Sequence, residues 1–404
     1  MLIGVVGKPS SGKTTFVNAA CMTSYKTANY PFTTIEPQLG TAYVRVDCVC
    51  KELGVKDNPR NSICVDGIRY VPIKLLDVAG LVPDAWKGRG LGNKFLDDLR
   101  QADALIHVVD ISGSLDADGR EVGEGKWDPL EDIKFLEREI NMWMYKIIDK
   151  DWRSLVTKAK SEKKDFAKLL EQKVSGLAIS RYQISEAIRT ANLDINEIWK
   201  WEYEEKLKFI DALRRISKPM LIAANKIDKD VAQKNYERIK NELEDKYYVV
   251  PCSALGEFVL RSLSKKALIK YNPGDSDFEV VNKDSIGPDV LDKLLMLKEK
   301  VLRKYGSTGV QEALETAVFK LLKMIAVFPV EDVNSYTDHQ GNVLPDTFLV
   351  PEGTTTKELA FKIHTTLGES FIHAIDGRTK MRLSDDYKLK HRDIIKIVSA
   401  KGKK

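Results

Sequence analysis

The chain has 404 residues, 43% of them hydrophobic and 30% charged, with a net charge of +5; this composition suits a globular protein with sizeable cores and excludes a disordered or fibrous chain. The basic excess is too small to argue by itself for a nucleic-acid partner. Five cysteines are too sparse for a disulfide framework, which points to a reducing compartment. The opening Met1-Leu2-Ile3-Gly4-Val5-Val6 has no charged n-region or cleavage site, and no apolar run approaches the roughly 20 residues that span a bilayer. A soluble, cytoplasmic protein with no membrane partner is expected.

Leu2–Val6 reads as a buried parallel strand. It feeds Gly7-Lys8-Pro9-Ser10-Ser11-Gly12-Lys13-Thr14, a full match to G-x-x-x-x-G-K-[ST], and Thr15 continues into a helix. Glycines let the backbone wrap phosphates closely with successive N–H groups pointing inward. Lys13 is expected on the β- and γ-phosphates and Thr14 on Mg²⁺. Cys48, Cys50 and Cys64 follow in a loop-rich segment. C-x-C with a third cysteine can ligate zinc, but structural sites want four ligands and no fourth cysteine lies there. A second strand, Ile73–Leu76, ends in Asp77-Val78-Ala79-Gly80. This D-x-x-G places Asp77 to hold Mg²⁺ through water and the Gly80 N–H to meet the γ-phosphate. The glycine-rich stretch beyond it can move when that phosphate is absent. Leu81 follows, where many GTPases carry a Gln that orients the attacking water; hydrolysis is therefore expected to be slow alone.

After the strand Ala104–Asp110, Asp128-Pro129-Leu130-Glu131 has the pattern of a helix start. Ile133, Leu136, Ile140, Trp143 and Ile147 then mark one apolar face. Helical patterning resumes over Leu155–Leu170 and from Ile195 to Leu213, with most of the tryptophans in this insert serving its packing. Pro219–Ala224 is a strand ending in Asn225-Lys226-Ile227-Asp228, an N-K-x-D motif. A carboxylate can accept from both the N1–H and the exocyclic amine of guanine, so Asp228 reads the base. Asn225 buttresses the loop, and the Lys226 stem covers the ring. A further strand ends at Ser253-Ala254, whose turn is expected to offer an N–H to the guanine carbonyl. Adenine would leave the carboxylate unpaired and be rejected.

Residues from Leu255 to about Leu322 read as a second helical region with no legible chemistry. From Met324 the pattern becomes strand, turn, strand, with a turn at Asp338–Gly341. A single helix through Leu359, Ile363 and Leu367 and strands at Phe371–Ile375 and Ile394–Val398 follow, an order that suits a β-grasp fold. From Arg378 onward ten Lys/Arg stand against three Asp, a basic end that can face RNA phosphates.

With these motifs in hand, the chain resembles the Obg-like GTPases, in particular the archaeal and fungal relatives of YchF. Asn29-Tyr30-Pro31-Phe32-Thr33-Thr34-Ile35-Glu36-Pro37 is similar to the family's switch I, and Asp77–Val82 with Lys87-Gly88-Arg89-Gly90-Leu91-Gly92-Asn93 to its switch II. The resemblance implies an α/β P-loop NTPase G domain with an inserted helical region and a small C-terminal β-grasp (TGS) domain. It divides the chain into residues 1–112 and 218–256 (G domain), 113–217 (insert), 257–323 (second helical region) and 324–404 (TGS). Its implied ligands are GTP or GDP with Mg²⁺, the metal held by Thr14, Asp77 and Thr34. Its implied partner is the ribosome or a structured translation RNA. YchF proteins favour ATP through an altered base motif, whereas Asn225–Asp228 is intact here. Ser10 stands where many relatives carry an Asn that helps bind K⁺, which argues against K⁺ activation. The rivals are a YchF-type ATPase and an RNA- or ribosome-binding adaptor whose nucleotide is structural.

Overall fold

The computed structural model describes residues 1–21, 38–87 and 98–400. The apolar runs become the strands of a seven-stranded sheet: β1 (Leu2–Val6), β2 (Gln38–Asp47), β3 (Ile63–Val65), β4 (Ile68–Asp77), β5 (Ala104–Asp110), β6 (Met220–Asn225) and β7 (Val249–Pro251). Their order is β2-β4-β1-β5-β6-β7, with β3 on β4. β1 is parallel to β4 and β5, β5 to β6, and β6 to β7. Every residue of β5 and β6 is buried, which explains why both are apolar apart from His107 and the strand-end Asp110 and Asn225. Because these five strands run the same way, the segments that follow them gather at one edge of the sheet.

The chain divides into two compact units, Met1–Thr41 with Lys74–Ala313, and Ala42–Ile73 with Leu314–Lys404. In the first, the insert is helical. Asp128 caps the helix Pro129–Asp149 by accepting from the Leu130 N–H at 3.0 Å, with Pro129 in the first position. Its buried stripe is Ile133, Leu136, Ile140, Trp143, Met144 and Ile148, while Ile147 is half-buried. The shift from Ile147 to Ile148 is the drift of a 3.6-residue turn away from the 3.5-residue spacing of the motif. Trp152 stacks on Trp201 at 5.8 Å and meets Phe166 edge-on at 5.3 Å, so these rings pack helices together. Trp199, by contrast, is 51% exposed. The helical region beyond Leu255, whose sequence breaks at Tyr271-Asn272-Pro273-Gly274-Asp275, contains there a short antiparallel pair, β8 (Ile269–Lys270) with β9 (Glu279–Val280).

A buried arginine ties the helix Ala254–Lys265, where it is ion-paired, to the helix Lys13–Cys21. Arg261 contacts Glu257 at 2.6 Å and donates to the carbonyls of Ala19 and Ala20 at 2.8 Å each. Those carbonyls lie in the last turn of their helix, where no intrahelical donor remains. Glu257 also accepts from Tyr271 and Thr308.

The second unit has a five-stranded sheet of β10 (Met324–Pro329), β11 (Phe348–Pro351), β12 (Phe371–Asp376), β13 (Arg382–Leu383) and β14 (Ile394–Ser399). The order β11-β10-β14-β12-β13, with β10 and β14 parallel, is β-grasp topology. The helix expected through Leu367 is two, Thr356–Ile363 and Thr365–Glu369, broken where His364 is extended and its side chain accepts from the Thr366 N–H. Residues 42–73, grouped by sequence with the first 112, belong to this unit. Cys48, Val49 and Cys50 are buried with Phe328, Val330, Leu344 and Ile394, and apolar contacts cannot be read from chain order. Arg378 and Arg392 of the basic end both pair with Glu52, which leaves less of that charge free for phosphates.

Arg261→Leu would leave the buried Glu257 carboxylate without its countercharge and two helix-end carbonyls without a donor. The expected cost is about 3 kcal/mol, or roughly 5–10 °C in Tm. Thermal unfolding followed by circular dichroism checks it.

Candidate nucleotide-binding site

Three loops meet where β1, β6 and β7 end. The Asn225 side chain joins them, donating from Nδ2 to the Ser11 carbonyl at 2.9 Å and accepting the Ala254 N–H on Oδ1 at 3.0 Å. Asn225 is 3% exposed, so this amide is held by bonds that solvent does not contest. The approach demands a glycine at position 12. Its φ is +98°, and a Cβ there would lie 2.2 Å from Asn225 Nδ2. Gly7 is similarly constrained, since a Cβ would fall 2.4 Å from the Val108 carbonyl. Ser10 holds φ +62°, a left-handed conformation that Asn adopts more readily.

Lys13 begins its helix, and its ammonium donates to the Lys8 carbonyl at 2.9 Å. Burial pulls its pKa down to about 8, and the Asp77 carboxylate partly opposes this. Thr14 Oγ1 donates to Asp77 Oδ2 at 2.9 Å. Burial raises the Asp77 pKa, against Lys13 and the Thr14 hydroxyl. Asp77 Oδ1 is buried with no hydrogen-bond partner. A hydroxyl and an unsatisfied carboxylate oxygen side by side fit a hard, oxygen-seeking cation. Gly80 lies against Pro9, close enough that a Cβ would come within 3.0 Å of the Pro9 nitrogen. The Leu81 N–H donates to the Gly7 carbonyl at 3.1 Å, and its side chain is 1% exposed, packed in the core.

The Lys8 side chain points away from this cradle. It pairs with Asp132 at 2.7 Å and donates to the Leu115 carbonyl, so only its backbone serves the loop. On the base side, Asp228 Oδ1 accepts from the Ser253 hydroxyl at 2.9 Å. Lys226, at φ +64°, sends its ammonium to Asp110 at 3.0 Å. Asp110 is fully buried. Burial pushes its carboxyl up, but Lys226 and the hydroxyls of Ser112 and Ser114 outweigh that and hold it below the usual range. A cleft of ≈ 610 Å³ opens beside Asp228, Lys229 and Ser253, walled by Leu255, Val290 and Leu294.

Where the sequence points to a guanine carbonyl, the Ser253 N–H is bound to the Thr308 carbonyl at 2.9 Å and the Ala254 N–H to Asn225 Oδ1 at 3.0 Å, as buried amides require a partner. Gly7, Pro9, Ser10, Ser11, Gly12, Lys13, Thr14 and Thr15 form one continuous loop and helix start; Thr34, the rest of 29–37, and Gly88–Asn93 with Arg89 lie outside the described residues. Sequence reasoning missed Asp110 and Glu139. Asp110 aligns with Asn225 across β5 and β6, and an acid ending a buried strand was the available signal. Glu139 accepts the N–H groups of Asp84 and Trp86 at 3.0 and 3.1 Å, a contact with no sequence signature.

Comparison with known proteins fits this arrangement. Residues 2–149 match the family described as "50S ribosome-binding GTPase", residues 223–332 "Obg-like GTPase YGR210-like, G4 motif-containing domain", and residues 333–399 "TGS domain". A GTP-binding protein of Methanocaldococcus jannaschii is 52% identical over 399 residues, 99% of either chain. One of Schizosaccharomyces pombe is 38% identical over 369 residues, 89% of either chain. The crystal structure of a GTP-binding protein from Pyrococcus horikoshii aligns with a TM-score of 0.78 at 39% identity, covering 99% of this chain and 100% of that one.

The pH dependence of nucleotide affinity follows from Lys13. Below pH 8 its proton is in place for a polyphosphate; above it, the free protein has lost the proton and must regain it on binding. GDP affinity should therefore fall as pH rises past about 8, by up to about tenfold per unit. Calorimetry in buffers of different ionisation enthalpy should register proton uptake on that side only. Constant affinity across the range would refute the assignment.

Proposed function

The chain belongs to the Obg-like family of P-loop GTPases with a C-terminal TGS domain, in its YchF-related archaeal and fungal branch, and on that premise we propose that it is a GTP-hydrolysing switch acting on the ribosome or a translation RNA in the cytoplasm. The observation that carries this reading is the Asn225 bridge, which fixes the Asp228 loop against the phosphate loop through Ser11 and Ala254.

In this reading the amides of Gly7–Thr15 clasp the α- and β-phosphates and Lys13 neutralises the β- and γ-oxygens. Gly80 contacts the γ-phosphate, and Asp228 takes both donors of the guanine edge within the adjoining cleft. Thr14, Asp77 through water, and Thr34 would hold Mg²⁺, which supplies charge neutralisation on the phosphates. Water attacks the γ-phosphorus, the bond to the bridging oxygen breaks, and GDP and phosphate leave. Leu81 is buried in the core and has no polar atom to orient that water, so turnover alone is slow. A partner that supplies the missing group accelerates it. The ribosome enters from the matched family's description. The adaptor reading rests on the same Leu81, because a site without a water-positioning group can hold nucleotide and barely turn over.

Asp228→Asn should weaken GTP binding by about 10²-fold or more and gain xanthosine triphosphate, whose edge matches an amide. Competition between the two nucleotides reads this out, and unchanged GTP affinity would remove the base assignment. In single-turnover assays, GTP cleavage should be slow alone and faster with ribosomes. No cleavage in either condition favours the adaptor, and preference for ATP removes the GTPase reading in favour of a YchF-type ATPase.

A further inference from the structure

The second unit holds four side chains that the nucleotide chemistry does not use. Cys48, Cys50, Asp57 and Cys64 bring their Sγ and carboxylate oxygen atoms within 4.8 Å of one another. We propose that these four residues form a structural site for one zinc-type divalent ion.

The distances match such a site. Cys50 Sγ and Cys64 Sγ are 3.8 Å apart, the edge of a tetrahedron with Zn–S bonds of about 2.3 Å and well beyond the roughly 2.05 Å of a disulfide. Cys48 Sγ and Asp57 Oδ2 are 3.2 Å apart, close to the shorter edge that one oxygen ligand gives. Each ligand comes from a different piece of local structure. Cys48 follows β2, Cys50 lies in the helix Val49–Leu53, Asp57 is in the loop after it, and Cys64 is on β3. Gly54 turns the chain between them with φ +65°. The spacing Cys48-x-Cys50-x₆-Asp57-x₆-Cys64 hides the site from a search for cysteines alone, because its fourth ligand is a carboxylate.

The surroundings are those of a ligand shell rather than of spare thiols. Cys48 and Cys50 are 2% and 7% exposed. The Arg69 side chain is fully buried and donates to Asp57 Oδ2 at 2.7 Å and to Cys48 Sγ at 3.3 Å. Its other amine donates to the Ser62 hydroxyl and the Leu344 carbonyl. Three thiolates and a carboxylate around a divalent ion leave an excess of negative charge, and a buried guanidinium offsets part of it. The same guanidinium fixes the orientation of two ligands. Thiolates select zinc over magnesium or calcium, which keeps this site distinct from the cation at Thr14 and Asp77. The ion would tie the irregular stretch between the helix and β3 to the strands that flank it.

The test uses the full chain, purified without chelator and then stripped and reloaded. Elemental analysis should find about one zinc per chain. Reloading with Co²⁺ should give the near-ultraviolet thiolate-to-metal band and the strong visible bands of a tetrahedral ion. Cys64→Ser and Asp57→Ala should each lower Zn²⁺ affinity at least tenfold against a chromophoric chelator. Cys21→Ser, in the other unit, should not change it. The wild-type stoichiometry and Co²⁺ spectrum stand even if a ligand variant fails to fold. Absence of bound zinc together with no thiolate–Co²⁺ band would overturn the proposal. So would mass-spectrometric identification of a Cys50–Cys64 disulfide in the native protein.

Discussion

A single buried carboxamide governs the geometry of the nucleotide site. Asn225 spans the loops after β1 and β7 from its own place at the end of β6. The parallel strands bring these loops to one edge but do not set their spacing. The Asn225 bonds do, because each replaces a buried peptide group's lost water. Gly12 follows as a consequence, since any side chain there would occupy the space of the Asn225 amide. The loop that carries Asp228 and the Gly7–Thr14 loop are thus tied to each other through one side chain in this unit.

Around it the charges are set in opposition. Lys13 is buried beside Asp77, and the pKa of the lysine is lowered while that of the carboxyl is raised. Each charged form is held in a place that disfavours it, so an anion that partners Lys13 and a cation that partners Asp77 both relieve a penalty already present. Lys226 and Asp110 form the opposite case. Their contact is supported by two hydroxyls, and the carboxylate is stabilised as an anion. The first pair is poised for ligands, and the second is a fixed strut under the guanine motif. Glu139 adds a further tie, from the inserted helix to the turn at Asp84 and Trp86 that follows D-x-x-G.

The second unit is organised by another buried cation. Arg69 gathers Asp57, Cys48, Ser62 and the Leu344 carbonyl. Phe328 of β10 lies 5.4 Å beneath its guanidinium. Glu52 collects Arg378 and Arg392 in the same unit. The basic count of the C-terminal end therefore overstates the charge presented to a partner.

The sequence alone determined the P-loop, D-x-x-G and N-K-x-D segments, the apolar strands before them, the Asp128 cap and the succession of strands and helix that suits a β-grasp unit, because each is written in local spacing: a glycine where φ must be positive, a carboxylate at a strand end, a period of two or 3.6. It also placed Leu81 where a polar residue would be expected. Only the tertiary structure decided which unit residues 42–73 join, where the Ser253 and Ala254 amides spend their hydrogen bonds, that the Lys8 side chain turns to Asp132, and that Asp57 stands beside three cysteines. Those outcomes depend on contacts between distant segments, made to satisfy buried polar groups and fill apolar space. No local pattern encodes such contacts, since the partner of a buried amide or thiol is whatever the fold brings within reach.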